Sequence, residues 1–153
     1  FYSPLTNQRT DQYGGPVENR VRVVTELLRL LRENVGDEMV LGVRLGACDY
    51  LPGGNTLADG AKAAALLAQA GAQYISVAGG QCGAQHPQNT GVGFFKEAAE
   101  AIKQVVQVPV LLTGGVKTRT DAESLLAAGA ADMVGVARAL IQNPNWANEA
   151  FAE

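Results

Sequence analysis

Four short apolar runs alternate with Ala-rich amphipathic stretches along this chain, and this alternation restricts its possible folds more than any other feature. The runs fall at residues 40–45, 74–79, 109–114 and 133–137. Apolar residues follow one another in these runs instead of alternating with polar ones, which predicts strands that are buried on both faces. Parallel strands covered by helices meet that requirement, so the pattern indicates an α/β fold.

The stretches beside these runs are predicted to form helices. Apolar side chains recur at three- and four-residue steps over residues 17–35, and Gly36 ends this first helix. Asn55 and Thr56 are candidate caps for the second helix. The remaining helices are predicted over residues 94–106, from Thr120 or Asp121 to Ala128, and in the tail from Ala139.

Two segments of the sequence match each other closely, with one residue deleted: LLAQAGAQYISV at residues 66–77 and LLAAGAADMVGV at residues 125–136. In each segment a helix ends on Gly and leads through a very short turn into a strand. The loops on the opposite side, at residues 46–55 and 79–93, are longer and more polar. In (β/α)8 barrels the loops that follow the strands form the active-site face.

Four strands are half of the number that closes an eight-stranded barrel. The pattern therefore fits half of such a barrel or an open doubly wound sheet, and a dimer of half-barrels also satisfies it. Our preferred prediction is a single domain over residues 1–153, the C-terminal half of a (β/α)8 TIM barrel with four parallel strands and flanking helices.

Composition and charge argue against several classes of function for this chain. The net charge is -3 and the isoelectric point is near 5.2, which argues against binding to nucleic acid or to an anionic membrane. No apolar run is long enough for a membrane span, and the first residues do not resemble a signal peptide. Cys48 and Cys82 form no CxxC motif, so we expect two free thiols, no metal site and a cytoplasmic location.

The ends of the last two runs carry a candidate phosphate site. Gly114 and Gly115 directly follow VLLT, where glycine allows a ligand to approach the backbone amides closely. Ala137 and Arg138 follow the next run and open a helix, and a helix N-terminus beside a guanidinium favours phosphate. Gly-Gly alone also fits a plain tight turn, and Arg138 alone fits a surface ion pair. Together, on adjacent strands, these residues predict phosphate binding.

Arg44 lies inside the apolar run VLGVRL. A charge on a buried strand needs a partner or a ligand. If Arg44 points into the barrel mouth, its charge can stabilise an anionic, electron-rich ring. The alternative is a structural ion pair with Asp49 or Asp132.

Four further residues are weaker candidates. His86, the only histidine, lies in a polar, Gly-rich loop, where it is either a general acid or an idle exposed side chain. Cys82, in the same loop, is a candidate substrate contact. Lys117 and Arg119 follow Gly115 and either add to the anion field or are surface charges.

The longest motif in the chain is SPLTNQRTDQYGGPVENRVR, at residues 3–22. It resembles the stretch after the fourth strand in old yellow enzyme-type NADH:flavin oxidoreductases, except that Pro16 stands where Ser is usual. The resemblance continues through GVRL, VAGG, GFFKEAAEAIK, VPVLLTGG and ADMVGVARALIQNPNW, and it covers essentially the whole chain.

The resemblance implies FMN as cofactor and NADH or NADPH as reductant. It implies that Arg44 lies near the pyrimidine side of the flavin, and that Gly114, Gly115, Ala137 and Arg138 hold the phosphate of FMN. The family usually has Gly where this chain has Ala137. The reaction implied is ping-pong hydride transfer to an electron-poor alkene.

The resemblance also implies that the usual substrate-anchoring pair and proton-donor Tyr belong to an N-terminal half-barrel that precedes these residues in the family. We therefore expect that missing half, or a homo-oligomer, as partner, and an incomplete activity for this portion alone. Two alternatives stay open at this point. One is a phosphate-binding half-barrel of another metabolic enzyme class, and the other is a non-catalytic half-barrel that self-associates through its edge strands.

Overall fold

A single parallel sheet organises the chain in the computed structural model, which describes residues 1–83 and 86–152. The strand order is β1-β2-β3-β4, and each strand pairs in parallel with the next one along the chain. The strands are β1 (Gly42–Cys48), β2 (Tyr74–Gly79), β3 (Val110–Thr113) and β4 (Met133–Gly135). The predicted architecture of four parallel strands with flanking helices is confirmed.

Helices connect the strands and flank the sheet. They are α1 (Val17–Arg20), α2 (Arg22–Val35), α3 (Leu57–Gln69), α4 (Lys96–Lys103), α5 (Arg119–Ala127), α6 (Arg138–Gln142) and α7 (Trp146–Ala150). The single helix predicted over residues 17–35 is thus two helices that meet at Val21. Within the described ranges, no helix combines the length and apolar character needed to cross a membrane.

Two helices that follow strands begin with the same capping arrangement. Thr56 accepts a hydrogen bond from the Asp59 amide, and the Asp59 carboxylate accepts one from the Thr56 amide. Thr118 and Asp121 repeat this reciprocal pair at the start of α5. The helix α5 therefore begins at Arg119, one residue before the Thr120 and two before the Asp121 predicted as its start, because Asp121 lies inside the capping box.

The first strand lies further along the chain than the predicted range of residues 40–45. It begins at Gly42 and ends at Cys48, so Arg44 lies in its first half and not near its end. Leu41 stays outside the strand, where its amide donates to the side-chain oxygen of Gln73 at 2.9 Å.

The two faces of the sheet differ in burial, and within the described residues the predicted burial on both faces is met on the outer face alone. The outer face packs against the helices through the core side chains of Leu45, Ile75, Val77, Val110 and Leu112, which are at most 5% exposed. The inner face carries Arg44, Ser76, Leu111 and Met133, which are successive partners across the four strands. Met133 is 37% exposed there. Helices cover the outer face only, and four strands cannot curl far enough to bury the inner one.

The opening motif folds back onto the ends of the strands. Arg20 is buried and donates from Nε to the Tyr2 carbonyl at 2.7 Å and from Nη2 to Asn55 Oδ1 at 2.7 Å. Ser3 Oγ donates to Asp49 Oδ2 at 2.8 Å. These bonds join the first residues to the loop that follows β1, so the long motif acts as structural support for that loop.

Candidate functional site

A cavity of about 440 Å³ opens at the carboxyl ends of the strands, on the inner face of the sheet. It contains all five residues that the sequence singled out as a cofactor site: Arg44, Gly114, Gly115, Ala137 and Arg138. The other lining residues are Ser76, Ala78, Gly83, Phe94, Phe95, Leu111, Thr113, Val116, Gly135 and Val136. Parallel strands place their carboxyl ends at one edge, which is why residues distant in sequence meet here.

The Gly114–Gly115 turn needs glycine at both positions. Their φ angles are 113° and 72°, in a region that side chains disfavour. A Cβ on Gly114 would lie 2.6 Å from the ring of Phe94, and one on Gly115 would overlap the carbonyl oxygen of Gly91. The Gly93 amide donates to the Gly114 carbonyl at 2.8 Å. The turn is therefore held closely against residues 91–94 and presents bare backbone to the cavity.

Ala137 and Arg138 line the cavity at the end of the adjacent strand, where β4 leads into α6. Ala137 is the N-cap residue of α6, with φ -127° and ψ -66°. That φ lies outside the left-handed region, so the methyl group is compatible with the backbone and glycine is not required. Arg138 is exposed and pairs with no carboxylate in the part of the chain that the structure describes. Its guanidinium is thus available to a ligand in the cavity.

Arg44 forms one hydrogen bond among the described residues, from Nη1 to Ser76 Oγ at 3.4 Å. The two proposed ion-pair partners are engaged elsewhere. Asp49 is fully buried and accepts from Ser3, Asn55 and Gln81. Asp132 accepts from Lys103 Nζ and from the Val110 amide, and these bonds hold the pKa of that carboxyl below its ordinary value. The ion-pair alternative for Arg44 is therefore wrong.

The charges around this cavity have one sign. Arg44 and Arg138 contribute two guanidinium groups, and the described residues of the lining include no Asp or Glu. Backbone amides at a glycine turn add further positive potential. An arrangement of this kind can hold a phosphate group and stabilise negative charge on an adjacent ring.

The weaker candidates lie outside this lining. Lys117 is exposed, and its carbonyl accepts from Trp146 Nε1 at 2.7 Å. Arg119 pairs with Glu123 at 2.6 Å and lies against the ring of Phe151. Cys82 is a free, half-buried thiol beside Gly79. These three residues are not among those that surround Arg44 and Arg138.

His86 lines a second cavity of about 790 Å³, between the loop after β1 and the loop after β2. Its ring centroid lies 4.0 Å from that of Tyr50, and its Nδ1 accepts from the Gln88 amide at 3.1 Å. Phe94 borders both cavities. His86 therefore packs against Tyr50 and does not lie beside Arg44. This position gives no support to the predicted role of His86 as a general acid.

Asp49 organises both loops and was missed as a functional residue by the sequence reasoning. Its Oδ2 accepts from the Asn55 amide at 2.6 Å, and its Oδ1 accepts from the Gln81 amide at 2.7 Å. Gly54 and Gly80 pack so closely on it that a Cβ at either position would overlap its carboxylate. A signal existed in the sequence, since an acidic residue directly after a buried strand needs hydrogen-bond donors.

Known proteins and one family profile resemble this chain over nearly its whole length. The profile of the NADH:flavin oxidoreductase / NADH oxidase family matches residues 1–152. An NADH oxidase from Thermoanaerobacter brockii is 37% identical over 98% of this chain and 24% of its own length. An NADPH dehydrogenase from Halalkalibacterium halodurans is 35% identical over 100% of this chain and 44% of its own length. The solved structure of morphinone reductase in complex with tetrahydroNAD is 28% identical, with a TM-score of 0.69 over 94% of this chain and 37% of that one.

The chain spans less than half of each of these relatives, as expected for a partial TIM barrel. Their names are those of oxidoreductases that use NADH or NADPH, and the family is FMN-dependent. The profile match extends over nearly every residue, from the opening motif to the segment after α7. The chain therefore belongs to the NADH:flavin oxidoreductase / NADH oxidase family.

Proposed function

We propose that this chain is the FMN-binding portion of an NAD(P)H-dependent flavin oxidoreductase that reduces electron-poor alkenes by ping-pong hydride transfer. The observation that carries the proposal is the first cavity. It combines a Gly114–Gly115 turn without side chains, the Arg138 guanidinium and the Arg44 guanidinium, with no carboxylate among the lining residues that the structure describes. FMN, when bound, supplies the hydride acceptor and donor of the reaction.

The phosphate of FMN fits the wall formed by Gly114, Gly115, Ala137 and Arg138. Glycine at both turn positions leaves backbone amides accessible, and a phosphate needs several N–H donors at short range. Arg138 has no competing carboxylate among the described residues and can bind two phosphate oxygens at once.

Arg44 is assigned to the pyrimidine side of the flavin ring. It lies on the inner face of the sheet in the same cavity, with Ser76 as a neighbour that fixes its direction. A guanidinium there stabilises the negative charge that the ring gains on reduction. This role needs a charge that no carboxylate neutralises, and the occupied carboxylates of Asp49 and Asp132 are consistent with it.

The substrate class and the order of steps rest on the family. Morphinone reductase, the NADH oxidase and the NADPH dehydrogenase support a nicotinamide reductant. In a ping-pong cycle, NADH or NADPH would give its hydride to FMN and leave as NAD⁺ or NADP⁺ before the alkene enters, so one cavity would serve both. The residues of this chain hold the cofactor and stabilise charge on it.

The partner proposed for this chain is the rest of the barrel, either an N-terminal half-barrel or a second copy. The inner face of the sheet and both of its edges carry exposed apolar side chains. On the β1 side, Leu30 of α2 is 56% exposed, and on the β4 side Ile141 of α6 is 80% exposed. Four more strands would bury these side chains and close the barrel.

Flavin retention tests the proposal. In the complete protein, Arg138→Glu is expected to remove FMN. The substitution replaces a cationic hydrogen-bond donor to the phosphate by a carboxylate that repels the phosphate. Arg29→Glu is the matched control, since Arg29 is an exposed residue of α2 outside both cavities. The flavin absorbance of the two purified variants is compared with that of the unaltered protein. Equal flavin content in the two variants would contradict the phosphate assignment.

A further inference from the structure

Two segments line the first cavity side by side, but nothing in the sheet fixes the spacing between them. The ladder between β3 and β4 ends with the pairing of Thr113 and Gly135. Beyond that pair, the glycine turn and Arg138 belong to separate segments. Among the described residues, no hydrogen bond runs directly between residues 114–118 and residues 136–139. The spacing therefore depends on contacts made further along the chain.

A tryptophan makes the shorter of these contacts. Trp146 begins α7 and lies half-buried. Its Nε1 donates to the carbonyl oxygen of Lys117 at 2.7 Å, within the segment that follows the glycine turn. An indole has one N–H donor and no acceptor, so this bond uses the whole hydrogen-bonding capacity of the side chain. Trp146 thus attaches α7 to the segment that carries Gly114 and Gly115.

The chain from Arg138 to Trp146 is itself held by hydrogen bonds. Arg138 begins α6, and Asn143 turns the chain from α6 into α7. The backbone oxygen of Asn143 accepts from the Trp146 amide at 3.0 Å. Its side chain accepts from the Asn145 amide at 3.0 Å and donates to Glu149 at 2.6 Å. A displacement of Trp146 is therefore transmitted to Arg138, because the intervening segment is a connected unit.

A second and longer contact joins the same two segments. Arg119, the first residue of α5, donates from Nη1 to the Ala150 carbonyl at 3.3 Å. Its guanidinium also lies 5.3 Å from the centre of the Phe151 ring. Arg119 is exposed and shared with Glu123, so this contact is the weaker of the two. Both ends of α7 are nevertheless attached to the start of α5 and to the segment before it.

We propose that Trp146 is a positioning residue that sets the spacing between the Gly114–Gly115 turn and the Arg138 guanidinium. The inference rests on the proposed function, in which these groups hold the phosphate of FMN. Trp146 is not among the residues that line the cavity, and it acts through the Lys117 carbonyl. Donors that are already in place bind a ligand more tightly than donors that binding must first order.

A simpler explanation is that the indole bond only attaches α7 to the rest of the protein. Loss of the bond would then lower stability and affect every ligand of the cavity to the same degree. Positioning of the phosphate donors predicts instead a loss confined to ligands that carry a phosphate. Riboflavin has the ring system of FMN without the phosphate, so a comparison of the two flavins separates these explanations.

The test is Trp146→Phe in the complete apoprotein, titrated with FMN and with riboflavin by fluorescence. Phenylalanine keeps an aromatic ring and removes the N–H donor. We expect the FMN affinity to fall about threefold to tenfold, the range of one hydrogen bond, and the riboflavin affinity to change by less than about twofold. Tyr13→Phe is the matched control. It removes an exposed aromatic hydrogen bond, from the Tyr13 hydroxyl to Glu26 at 3.0 Å, outside both cavities, and neither affinity should change.

An unchanged FMN affinity in Trp146→Phe, or an equal loss for FMN and riboflavin, would overturn the inference. Failure of the proposed function gives a different result. If Arg138→Glu abolishes the preference for FMN and Trp146→Phe leaves it intact, only the role of Trp146 is wrong. If the unaltered protein shows no preference for FMN over riboflavin, the phosphate assignment and the role of Trp146 are both wrong.

Discussion

The two cavities lie side by side at one edge of the sheet but differ in what forms them and in the sign of their charge. The first is built from strands and backbone, with Arg44 and Arg138 and no carboxylate within the described part of its lining. The second is built from loop side chains, with Glu97 and neither Arg nor Lys in its described lining. The contrast shows that one scaffold can carry two neighbouring cavities of different charge, because the loops after the strands vary independently of the sheet.

The two regions also differ in how substitutions are expected to act. In the first cavity a substitution at the Gly114–Gly115 turn acts through added bulk, whereas one at Arg44 or Arg138 acts through lost charge. The second cavity is lined by side chains of the two loops, so a substitution there changes the packing of those loops. The predictions below test whether the two regions respond separately.

The largest effect is expected from Gly115→Ala. The φ of 72° and the overlap of a Cβ with the Gly91 carbonyl would force the turn to move away from its phosphate-binding position. We expect the FMN affinity of the complete protein to fall by more than about 100-fold, a loss equivalent to two or more charge-assisted hydrogen bonds. Fluorescence titration of the apoprotein with FMN measures this loss. Gly129→Ala, also at positive φ but with open space around its Cβ, is the control for backbone strain alone.

Asp49→Ala should affect both regions together. It leaves the Ser3 hydroxyl and the amides of Asn55 and Gln81 without their acceptor inside the protein. We expect the free energy of unfolding to fall by about 3 kcal/mol, as for other buried charged groups that lose their partner. Urea denaturation of the complete protein measures the change. Asp37→Ala, at an exposed site, is expected to fall within about 0.5 kcal/mol of the unaltered protein. A similarly small change for Asp49→Ala would remove Asp49 as the link between the two loops.

Arg44→Ala is expected to separate binding from reaction within the first cavity. FMN should be retained, because the phosphate contacts are intact. The reduction of the flavin by NADH or NADPH should slow by about tenfold to 100-fold, because the negative charge of the reduced ring loses its stabilising guanidinium. Stopped-flow absorbance records this rate. A rate equal to that of the unaltered protein would contradict the role assigned to Arg44.

The smallest effect is expected from Ala137→Gly, which introduces the residue that the family usually has. The backbone of Ala137, with a φ of -127°, does not require glycine. We expect the FMN affinity to change by less than about threefold, since only a methyl group at an exposed site is removed. The same fluorescence titration tests this. A gain of more than tenfold would show that the methyl group obstructs the phosphate.

The sheet was predictable from the sequence because its strands are short, apolar and separated by Ala-rich helices. The exposure of the inner face of the sheet was not predictable in this way. Arg44 and Met133 were read as part of continuous apolar runs, whereas the structure leaves both exposed on the uncovered side. Period-two alternation is concealed when Val and Leu occur on both faces of a strand, so local pattern alone does not reveal which face the helices cover.

The residues of the first cavity were anticipated because they are marked by the Gly114–Gly115 pair, by Arg138 after a strand and by Arg44 inside an apolar run. The second cavity depends on contacts between residues far apart in sequence, and no sequence motif indicates these contacts. Tyr50 meets His86 because two loops of different length bring them together, and Asp49 fixes both loops from a buried position. Such contacts join residues far apart in sequence, and local composition does not encode them.

The preference of the complete protein for FMN over riboflavin, which lacks the phosphate, tests the central claim most directly. The affinity ratio is measured in the unaltered apoprotein and in Arg138→Glu by fluorescence titration. If Arg138 and the Gly114–Gly115 turn hold the phosphate, the unaltered protein should prefer FMN by at least about 100-fold, and the variant by less than about tenfold. An unchanged preference in the variant would contradict the account, because the phosphate would then be held elsewhere.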